Sequence, residues 1–599
     1  MSSYEDRLKA LREELASRKL TGFVVPLTDE HMSEYVGAYA QRLAWLTGFQ
    51  GSAGAAAVLP EDAAIFTDGR YTIQVREQVD GKHWDYVGVP QTSIAEWLGE
   101  HADNGARIGY DPWLHTRQWV KSAEKALAEK GAELVAVDTN PIDAIWPDKP
   151  LPSDAKLIVH DDSFAGKSSA EKRQEMADAM AEKSVDAAVL AALDSIAWTL
   201  NVRGADVDHT PVALAYAIVH KDATADLYVD PDKMSEDVLR HLGNGVRVHE
   251  RSAFKGALGE MQGKKVIADP ERAVSAIFQA LDDAGATIVS ETEPAVLPKA
   301  IKNAVELQGS RDSHERDGAA LVRFLHWLSL EAPKGGVTEI SAAKRLQQFR
   351  EESELLRDLS FDAISGAGPH AAIPHYRVTE ESSIPLETDQ IYLVDSGGQY
   401  PDGTTDVTRT VIVGTPTDEM RDRFTRVLKG HIALATAVFP QGTRGSQLDS
   451  FARQYLWQAG LDYMHGTGHG VGSFLGVHEG PQRISAANYP GSGWDEPLHA
   501  GMILSNEPGY YKAGEYGIRI ENLVAIEERE IEGGEAVMLG FETLTFAPID
   551  HKLIDPTMLT PAERDWVDGY HADVIARIGP HLDDATAAWL GEVCAPLDG

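Results

Sequence analysis

Residues Ile391–Val413 read IYLVDSGGQYPDGTTDVTRTVIV, two apolar runs separated by a segment rich in glycine and turn residues. This pattern predicts two strands that pair as a hairpin. Asp395 closes the first run and Asp406 opens the second, so pairing brings the two carboxylates together. Neighbouring carboxylates either repel each other, which raises one pKa, or share a cation. Taken alone, Asp395 has the alternative interpretation of a turn residue at the end of a strand.

Three histidines lie among glycines in MHGTGHGVGSFLGVHEGP, residues Met464–Pro481. They are His465, His469 and His478. Glycine lets the backbone approach a ligand closely. The glycine spacing does not match the G-x-G-x-x-G pattern of dinucleotide-binding loops, and histidine suits a metal better than a pyrophosphate. A lone histidine is usually a core or surface residue, but three in this setting indicate a site.

Two glutamates occupy strand positions in GMILSNEPGYYKAGEYGIRIENLVAI, residues Gly501–Ile526. Glu507 ends an apolar run just before Pro-Gly, which predicts the end of a strand. Glu521 follows in a strand whose alternation puts it on the same face as Arg519. The alternative for this second pair is an ion pair at the protein surface.

Together these segments predict one metal centre, formed by two aspartates, one histidine and two glutamates. The predicted ligands are Asp395, Asp406, His469, Glu507 and Glu521. Four carboxylates balance the charge of two divalent ions. Oxygen and imidazole ligands make Mn²⁺ the leading candidate, with Co²⁺, Fe²⁺ and Zn²⁺ as alternatives. The residues alone therefore predict a dinuclear, metal-dependent hydrolase and do not specify its substrate.

Composition excludes several classes of partner. The net charge of −38, from 55 basic and 93 acidic residues, disfavours nucleic acid and anionic membranes. The single cysteine, Cys594, excludes a disulfide within the chain and fits a reducing compartment. The first residues, MSSYEDRLKALREELASRKL, lack the apolar segment of a signal peptide. We therefore expect a cytoplasmic protein that binds neither nucleic acid nor membrane.

Alternating strand and helix patterns predict two similar α/β domains in the first half of the chain, over residues 1–155 and 156–303. Each contains a helix that leads into a short polar turn. These helices lie in LAWLTGFQG, Leu43–Gly51, and SIAWTLNVRG, Ser195–Gly204. Their similarity favours a duplicated domain.

The chemistry-bearing segments fall in a third region, residues 304–535. It begins with two predicted helices, Asn303–Ala332 and Val337–Leu359, and continues with strands. Residues 536–599 contain a few strand residues and two helices. This last segment is expected to cap the catalytic domain or to form a subunit interface.

Motifs along the whole chain resemble those of one family. They are SEYVGAYAQRLAWLTGFQGSAG, FTDGRY, GPHAAIPHYR, HGTGHGVGSFLGVHEGP, SNEPGYY, GIRIEN and PIDHKLID. They resemble the cytosolic, three-domain Xaa-Pro aminopeptidases (aminopeptidase P), which belong to a superfamily with methionine aminopeptidase and prolidase. The resemblance implies a multidomain fold of α/β and α+β type, with two creatinase-N-like α/β domains, a "pita-bread" catalytic domain and a small C-terminal extension. It also implies a homodimer.

The same resemblance assigns further site residues. His375 falls on a substrate-contacting histidine, and it is preferred to the nearby His370 because a tyrosine follows it directly. His465 and His478 fall on two other active-site histidines, which line the proline side. Arg70, in TDGRY, falls on an arginine of the N-terminal domain that contacts the peptide.

The activity implied is hydrolysis of the bond between any N-terminal residue and a penultimate proline in peptides. A metal-bridged hydroxide attacks the carbonyl, Glu507 shuttles the proton, and His375 donates a hydrogen bond to the oxyanion. Alternatives on the same fold are a prolidase restricted to dipeptides and a methionine aminopeptidase. The alternative of another class is a binding protein without metal. The duplicated N-terminal region disfavours methionine aminopeptidase, and the complete ligand set disfavours the binding protein.

Overall fold

The structure, a computed structural model, describes residues 3–487 and 496–597 of the 599-residue chain. The chain forms two compact units, Met1–Asp162 with Lys167–Val296 and Ser163–Gly166 with Leu297–Gly599. Within the described ranges, no helix combines the length and the apolar character needed to cross a bilayer.

The first six-stranded sheet lies at the N-terminal end of the first unit. Its strands are β1 (Gly22–Pro26), β2 (Ala55–Val58), β3 (Ala63–Thr67), β4 (Asp85–Gly88), β5 (Arg107–Tyr110) and β6 (Glu133–Ala136). Their order is β4-β3-β2-β1-β5-β6, with β1 antiparallel to β2 and parallel to β5. The accompanying helices are α1 (Tyr4–Ser17), α2 (Arg42–Thr47), α3 (Gln74–Gln78), α4 (Ile94–His101), α5 (Arg117–Ala128) and α6 (Pro141–Ile145).

A second six-stranded sheet in this unit repeats the same order. The strands of this region are β7 (Ile158–Val159), β8 (Ala187–Leu190), β9 (Val202–Arg203), β10 (Ala215–His220), β11 (Ala225–Val229), β12 (Val246–Glu250), β13 (Lys265–Ala268) and β14 (Thr287–Ser290). The helices are α7 (Asp162–Ala165), α8 (Ser169–Glu182), α9 (Leu193–Leu200), α10 (Glu236–Leu242), α11 (Phe254–Gly259), α12 (Ser275–Ala284) and α13 (Val296–Ala300). Because β7 and β9 form a separate pair, the order β12-β11-β10-β8-β13-β14 matches the first sheet strand for strand. The predicted duplication is confirmed.

The two similar segments noted in the sequence occupy equivalent places. Helix α2 ends at Gly48 and helix α9 ends at Asn201, and both end residues are left-handed, with φ of 86° and 48°. Glycine and asparagine adopt this conformation at the lowest cost, which explains why these residue types stop the two helices.

The second unit contains all five predicted metal ligands and is called the catalytic unit below; after α13 it continues with two helices and several small sheets. Its elements up to residue 529 are α14 (Ala304–Glu331), α15 (Glu339–Glu351), β15 (Asp358–Leu359), β16 (Ile364–Ala367), β17 (Gln390–Ser396), β18 (Gly398–Tyr400), β19 (Gly403–Thr404), β20 (Val407–Val413), α16 (Asp418–Ala435), β21 (Phe439–Pro440), α17 (Gly445–Trp457), β22 (Gly468–Gly470), β23 (Glu479–Ile484), β24 (Ile503–Asn506), β25 (Gly509–Lys512), β26 (Tyr516–Arg519) and β27 (Asn522–Arg529). Strand β28 (Met538–Thr543) completes a sheet of order β21-β28-β27-β24-β22-β23.

Strands β17 and β20 pair antiparallel over their whole length, with Asp395 opposite Thr408. The predicted pairing is confirmed. The connection is longer than a simple turn, because β18 and β19 form a hairpin that joins β15 in another sheet.

The predicted helix Val337–Leu359 is wrong at both ends. Helix α15 starts after Thr338, whose hydroxyl caps it, and ends at Glu351. The next residues, ESE, add two more carboxylates where the helix dipole disfavours negative charge. Leu359 instead lies in strand β15, where it pairs with Gly398 of strand β18.

The C-terminal segment packs on the catalytic unit. Its helices are α18 (Pro561–Ile578) and α19 (Asp584–Val593). Val567 and Tyr570 of α18 share an apolar core with Ile518 and Ile520. The segment therefore caps the catalytic unit, one of the two roles that its sequence suggested.

Candidate metal centre

The five predicted metal ligands lie at or beside strand ends of the catalytic unit. Asp395 is the penultimate residue of β17, Asp406 directly precedes β20, His469 is the middle residue of β22, Glu507 directly follows β24, and Glu521 directly precedes β27. Asp395, Asp406 and Glu521 are buried, whereas His469 and Glu507 are partly exposed. The same placement excludes a surface ion pair between Arg519 and Glu521, because both side chains are buried.

The ligand atoms of Asp406, His469 and Glu521 lie within 4.8 Å of one another, a spacing that suits a shared cation. His469 Nε2 lies 3.4 Å from Asp406 Oδ2 and 3.7 Å from Glu507 Oε1. These atoms are too far apart for strong hydrogen bonds and close enough for a metal ion to bridge them at distances of about 2.0–2.2 Å.

The tautomer of His469 suits metal binding. Its Nδ1 lies 2.9 Å from the carbonyl oxygen of Gly470, so Nδ1 carries the proton and donates a hydrogen bond to that oxygen. The lone pair of Nε2 then points toward the carboxylates. Such a second contact fixes the ring of a metal-binding histidine. The backbone amide of His469 also donates to Ser505 Oγ, at 2.9 Å, and that hydroxyl donates to Glu507 Oε1, at 3.1 Å.

Two carboxylate oxygens of the cluster are buried without a donor among the described residues. They are Asp395 Oδ1 and Asp406 Oδ1. Buried polar atoms are nearly always satisfied, and an oxygen that accepts no hydrogen bond is available to a cation. The donor set of four carboxylates and one imidazole thus fits hard or borderline divalent ions.

Protonation of the cluster is shifted in the direction expected for crowded carboxylates. Burial raises the pKa of Asp406 well above its usual range, and the charges of Asp395 and Glu507 raise it further. Burial also raises the pKa of Glu521 well above its usual range, with Asp406 and Asp395 adding to the effect. Burial raises the pKa of Glu507, although His469 and Arg519 oppose the shift. Crowding of this kind is relieved either by protons or by metal ions.

Arg519 is a candidate functional residue whose partner was not anticipated from the sequence. Its Nη2 donates to Asp395 Oδ2 at 2.7 Å, and its Nε donates to Thr408 Oγ1 at 3.0 Å. Thr408 Oγ1 in turn donates to Glu521 Oε2 at 2.7 Å. One guanidinium and one hydroxyl therefore orient two of the predicted ligands. The sequence Thr408-Arg409-Thr410, polar residues within an otherwise apolar strand, is a signal that could have indicated this role for Thr408.

Arg519 also reaches the histidine side of the site. Its Nη1 donates to Tyr511 Oη at 2.8 Å. His465 donates a hydrogen bond from Nδ1 to the carbonyl oxygen of Gly466, at 2.7 Å. Its Nε2 is therefore unprotonated and accepts a hydrogen bond from Tyr511 Oη at 2.9 Å. The predicted His465 is thus linked to Asp395 through two side chains.

His478 is brought directly to the cluster. Its ring centroid lies 4.3 Å from that of His469, with an interplanar angle of 68°. His478 precedes β23, the strand that pairs with the β22 strand of His469. His469 and His478 therefore lie on or directly beside one pair of strands, β22 and β23.

His375 lies in a turn that follows a short 3-10 helix, Gly368–Ala372, and is partly exposed. Buried Glu339 holds the loop on either side of it. Glu339 accepts from the amide of Ala367 at 2.7 Å, His370 Nδ1 at 2.9 Å and Tyr376 Oη at 3.1 Å. His370, passed over as the substrate-contacting histidine, therefore supports the loop that carries His375.

Arg70 lies in the first unit, in a 3-10 helix after β3. Its guanidinium makes two contacts with Asp68, at 3.0 and 2.7 Å, and lies 5.3 Å from the ring centroid of Tyr71. The side chain is held by its own turn, so its guanidinium has a fixed place in the first unit.

Metal binding is expected to release protons. The metal-free fold favours the protonated forms of Asp406, Glu507 and Glu521 because their pKa values are raised, whereas metal binding requires the carboxylates. Calorimetric titration of Mn²⁺ into chelator-treated protein, in buffers of different ionisation enthalpy, should show proton release and weaker binding as the pH falls. Equal heats in all buffers and a pH-independent affinity would contradict this expectation.

Family models match along the whole chain. The model of metallopeptidase family M24 matches residues 308–528, and that of the C-terminal region of peptidase_M24 matches residues 537–597. Two models of creatinase/prolidase N-terminal domains match residues 7–145 and 148–306.

Individual proteins are similar over the same length. A probable Xaa-Pro aminopeptidase P of Laccaria bicolor is 41% identical, with 99% of this chain and 93% of that protein covered. One of Paracoccidioides brasiliensis is 40% identical, with 99% of each covered. The crystal structure of an X-prolyl aminopeptidase from Caenorhabditis elegans, described as a cytosolic enzyme with a di-nuclear active site, matches with a TM-score of 0.95, 34% identity and 100% of both chains covered.

These similarities confirm the predicted fold class: two creatinase-type α/β domains, a pita-bread catalytic domain and a C-terminal extension. They also agree with the dinuclear centre that the ligand set indicates. The chain belongs to metallopeptidase family M24 and, within it, to the Xaa-Pro aminopeptidase P group.

Proposed function

We propose that this protein is a Xaa-Pro aminopeptidase, which removes the N-terminal residue of peptides whose second residue is proline. The observation that carries the proposal is the convergence of acidic and histidine side chains around one cation position, Asp406, His469 and Glu521. The full-length similarity to proteins named Xaa-Pro aminopeptidase P supports the specificity.

Two divalent ions are proposed to bind per chain, with Mn²⁺ first among the candidates and Co²⁺, Zn²⁺ and Fe²⁺ as alternatives. The proposed ligands are Asp395, Asp406, His469, Glu507 and Glu521. With Arg519 included, the buried charge of the set is −3 when the imidazole is neutral and the four carboxylates are ionised. One divalent ion brings this charge to −1 and two ions bring it to +1, which the single ionised water of the proposed mechanism then brings to zero.

Catalysis is proposed to divide among the protein groups as follows. Divalent ions bound by these ligands would supply an ionised water at neutral pH and would polarise the scissile carbonyl. Glu507 accepts the proton of the attacking water and passes it to the leaving proline nitrogen. His375 donates a hydrogen bond to the developing oxyanion. His465 and His478 line the proline side.

Proline needs such a dedicated site because its imide nitrogen carries no hydrogen and its ring restricts the preceding residue. Tyr511 holds His465, and the β22–β23 pair holds His478 beside His469. A rigid wall of this kind favours a ring of fixed shape over a flexible side chain. We propose this rigidity as the reason for a preference for proline in the second position.

The wider organisation is part of the same proposal. The domains are proposed to span residues 1–155, 156–303, 304–535 and 536–599, and Arg70 of the first domain is proposed to contact the peptide substrate. A cytoplasmic location and a homodimer are proposed as well; the C. elegans relative is described as cytosolic.

A prolidase restricted to dipeptides and a methionine aminopeptidase are the competing activities. Hydrolysis of Arg-Pro-Pro, Gly-Pro and Met-Ala-Ser by purified protein with added Mn²⁺ separates the three. We expect Arg-Pro-Pro to be cleaved best, since the relatives that match over the whole chain are named Xaa-Pro aminopeptidase P. Preferential cleavage of Gly-Pro would indicate a prolidase, and preferential cleavage of Met-Ala-Ser a methionine aminopeptidase. Chelator-treated protein is the control and should cleave none of them.

A further inference from the structure

Three ionisable side chains are buried together behind strand β23. They are Lys299, Lys302 and Glu479, each no more than 3% exposed. Lys302 Nζ donates to Glu479 Oε1, and Lys299 Nζ lies 2.9 Å from Glu479 Oε2. Lys302 Nζ also donates to the carbonyl oxygen of Lys299, at 2.8 Å. Two cations therefore share one carboxylate in the interior.

Stability alone does not account for this arrangement. Removing charges from water costs several kcal/mol per ion, and apolar side chains of similar volume usually serve the fold as well. A second lysine adds the cost of another buried charge. A buried polar cluster of this kind fixes geometry rather than adding stability.

The cluster is joined to the catalytic histidines by the backbone. Glu479 directly follows His478 and pairs with Gly470, which directly follows His469. The two backbones are in close contact, because a Cβ added at Gly470 would lie 2.0 Å from the carbonyl oxygen of Glu479. The register shifts between His469 and Gly470 at this point. Holding Glu479 therefore holds both histidines.

Lys302 has a second link to the site through its own backbone. Its amide donates to the carbonyl oxygen of Gly501 at 2.9 Å, and the preceding Ile301 forms a β-bridge with Met502. Strand β24 starts at the next residue and leads directly to Glu507. Lys302 thus contacts the segment that leads into β24 with its backbone and the first residue of β23, Glu479, with its side chain.

We propose that Lys302 is a positioning residue, which acts through Glu479 to hold His478 beside His469. This inference rests on the proposed function, in which His478 lines the proline side of the substrate site. On this inference, the buried lysine pair serves substrate specificity and the rate of hydrolysis rather than the stability of the fold.

The first test is Lys302→Met. The remaining Lys299–Glu479 pair is neutral as a whole, so the variant leaves no unpaired buried charge and is expected to fold. We expect kcat/KM for Arg-Pro-Pro to fall by on the order of 10²-fold, the size of effect that follows from a small misplacement of a site residue. Lys302→Gln, which keeps a hydrogen-bond donor, serves as the second variant.

A matched control exists in the first unit. Lys233 is equally buried and pairs with Asp206 Oδ2 at 2.5 Å. Lys233→Met breaks a buried lysine–carboxylate pair and, unlike Lys302→Met, leaves its carboxylate unpaired, so it is the more severe test of whether the loss of a buried ion pair by itself lowers activity. Its kcat/KM should remain near that of the wild type.

A double-mutant cycle with His478→Ala separates positioning from general destabilisation. If Lys302 acts through His478, the double variant should be no slower than His478→Ala alone. Lys233→Met combined with His478→Ala should show independent effects. Effects of Lys302→Met and His478→Ala that multiply, or a kcat/KM for Lys302→Met within about twofold of the wild type, would overturn the proposal.

Hydrogen exchange gives a readout without catalysis. Peptides that cover residues 470–484 should exchange faster in Lys302→Met and at the wild-type rate in Lys233→Met. Unchanged exchange in the lysine-302 variants would overturn the inference. If the wild type does not cleave Arg-Pro-Pro, the proposed function fails and the exchange experiment alone decides on the role of Lys302.

Discussion

Replacing Glu507 by glutamine is expected to lower kcat for Xaa-Pro peptides by at least about 10³-fold, because a general base and a metal ligand are lost together. The amide has the same shape as the carboxylate but neither accepts a proton nor carries a charge. The fold should persist, since the change removes a carboxylate whose pKa burial already raises. Steady-state kinetics with Arg-Pro-Pro and thermal unfolding, both at saturating Mn²⁺, measure the two effects.

Glu515→Gln is the matched control for this variant. Glu515 lies in the turn between β25 and β26, eight residues after Glu507, and forms an exposed ion pair with Lys512. The same chemical change there should leave kcat unaltered, because an exposed ion pair contributes little. Near-wild-type hydrolysis by metal-loaded Glu507→Gln protein would refute the proton-transfer role.

Asp406→Asn is expected to have opposite effects on activity and on the stability of the metal-free protein. Metal content should fall below two ions per chain, and kcat/KM should fall by at least about 10²-fold. Replacing even a residue that only supports a metal ligand typically lowers metal affinity or activity by about 10–100-fold. The metal-free variant should nevertheless unfold at a higher temperature than the metal-free wild type. Elemental analysis and thermal unfolding in the presence of chelator measure these effects.

The stabilisation follows from the direction of the pKa shift. Burial, followed by the charges of Asp395 and Glu507, raises the pKa of Asp406 well above its usual range. The folded metal-free protein then binds a proton that the unfolded chain releases, so its stability falls as the pH rises above the unfolded-state pKa. Asparagine does not titrate, and the variant should gain about 1–3 kcal/mol at neutral pH and lose this pH dependence.

Asp402→Asn provides the comparison for that substitution. Asp402 lies between β18 and β19, four residues before Asp406, and pairs with Arg316 at 2.8 Å. Its replacement should keep both metal ions and full activity. Undiminished metal content in Asp406→Asn, or a metal-free variant less stable than the metal-free wild type, would contradict the interpretation of the cluster.

The duplicated α/β plan could be predicted because its signals are local. LAWLTGFQG and SIAWTLNVRG each contain a helix and the residue that stops it, and both segments form that structure. The helix predicted over Val337–Leu359 forms but was drawn too long, because hydrophobic periodicity continues past the point where clustered carboxylates and pairing with β18 end the helix. A periodic pattern does not report a partner strand that is 39 residues away in the chain.

By itself, the sequence determined which residue types lie at the strand ends around Asp395, Glu507 and Glu521, because strand periodicity and turn chemistry act over a few residues. Only the tertiary structure decided which atoms face the cation and what holds them. Arg519 meets Asp395 across 124 residues of chain, and Lys302 meets Glu479 across 177. Such contacts depend on how distant strands pack, and packing is a property of the whole fold rather than of any segment.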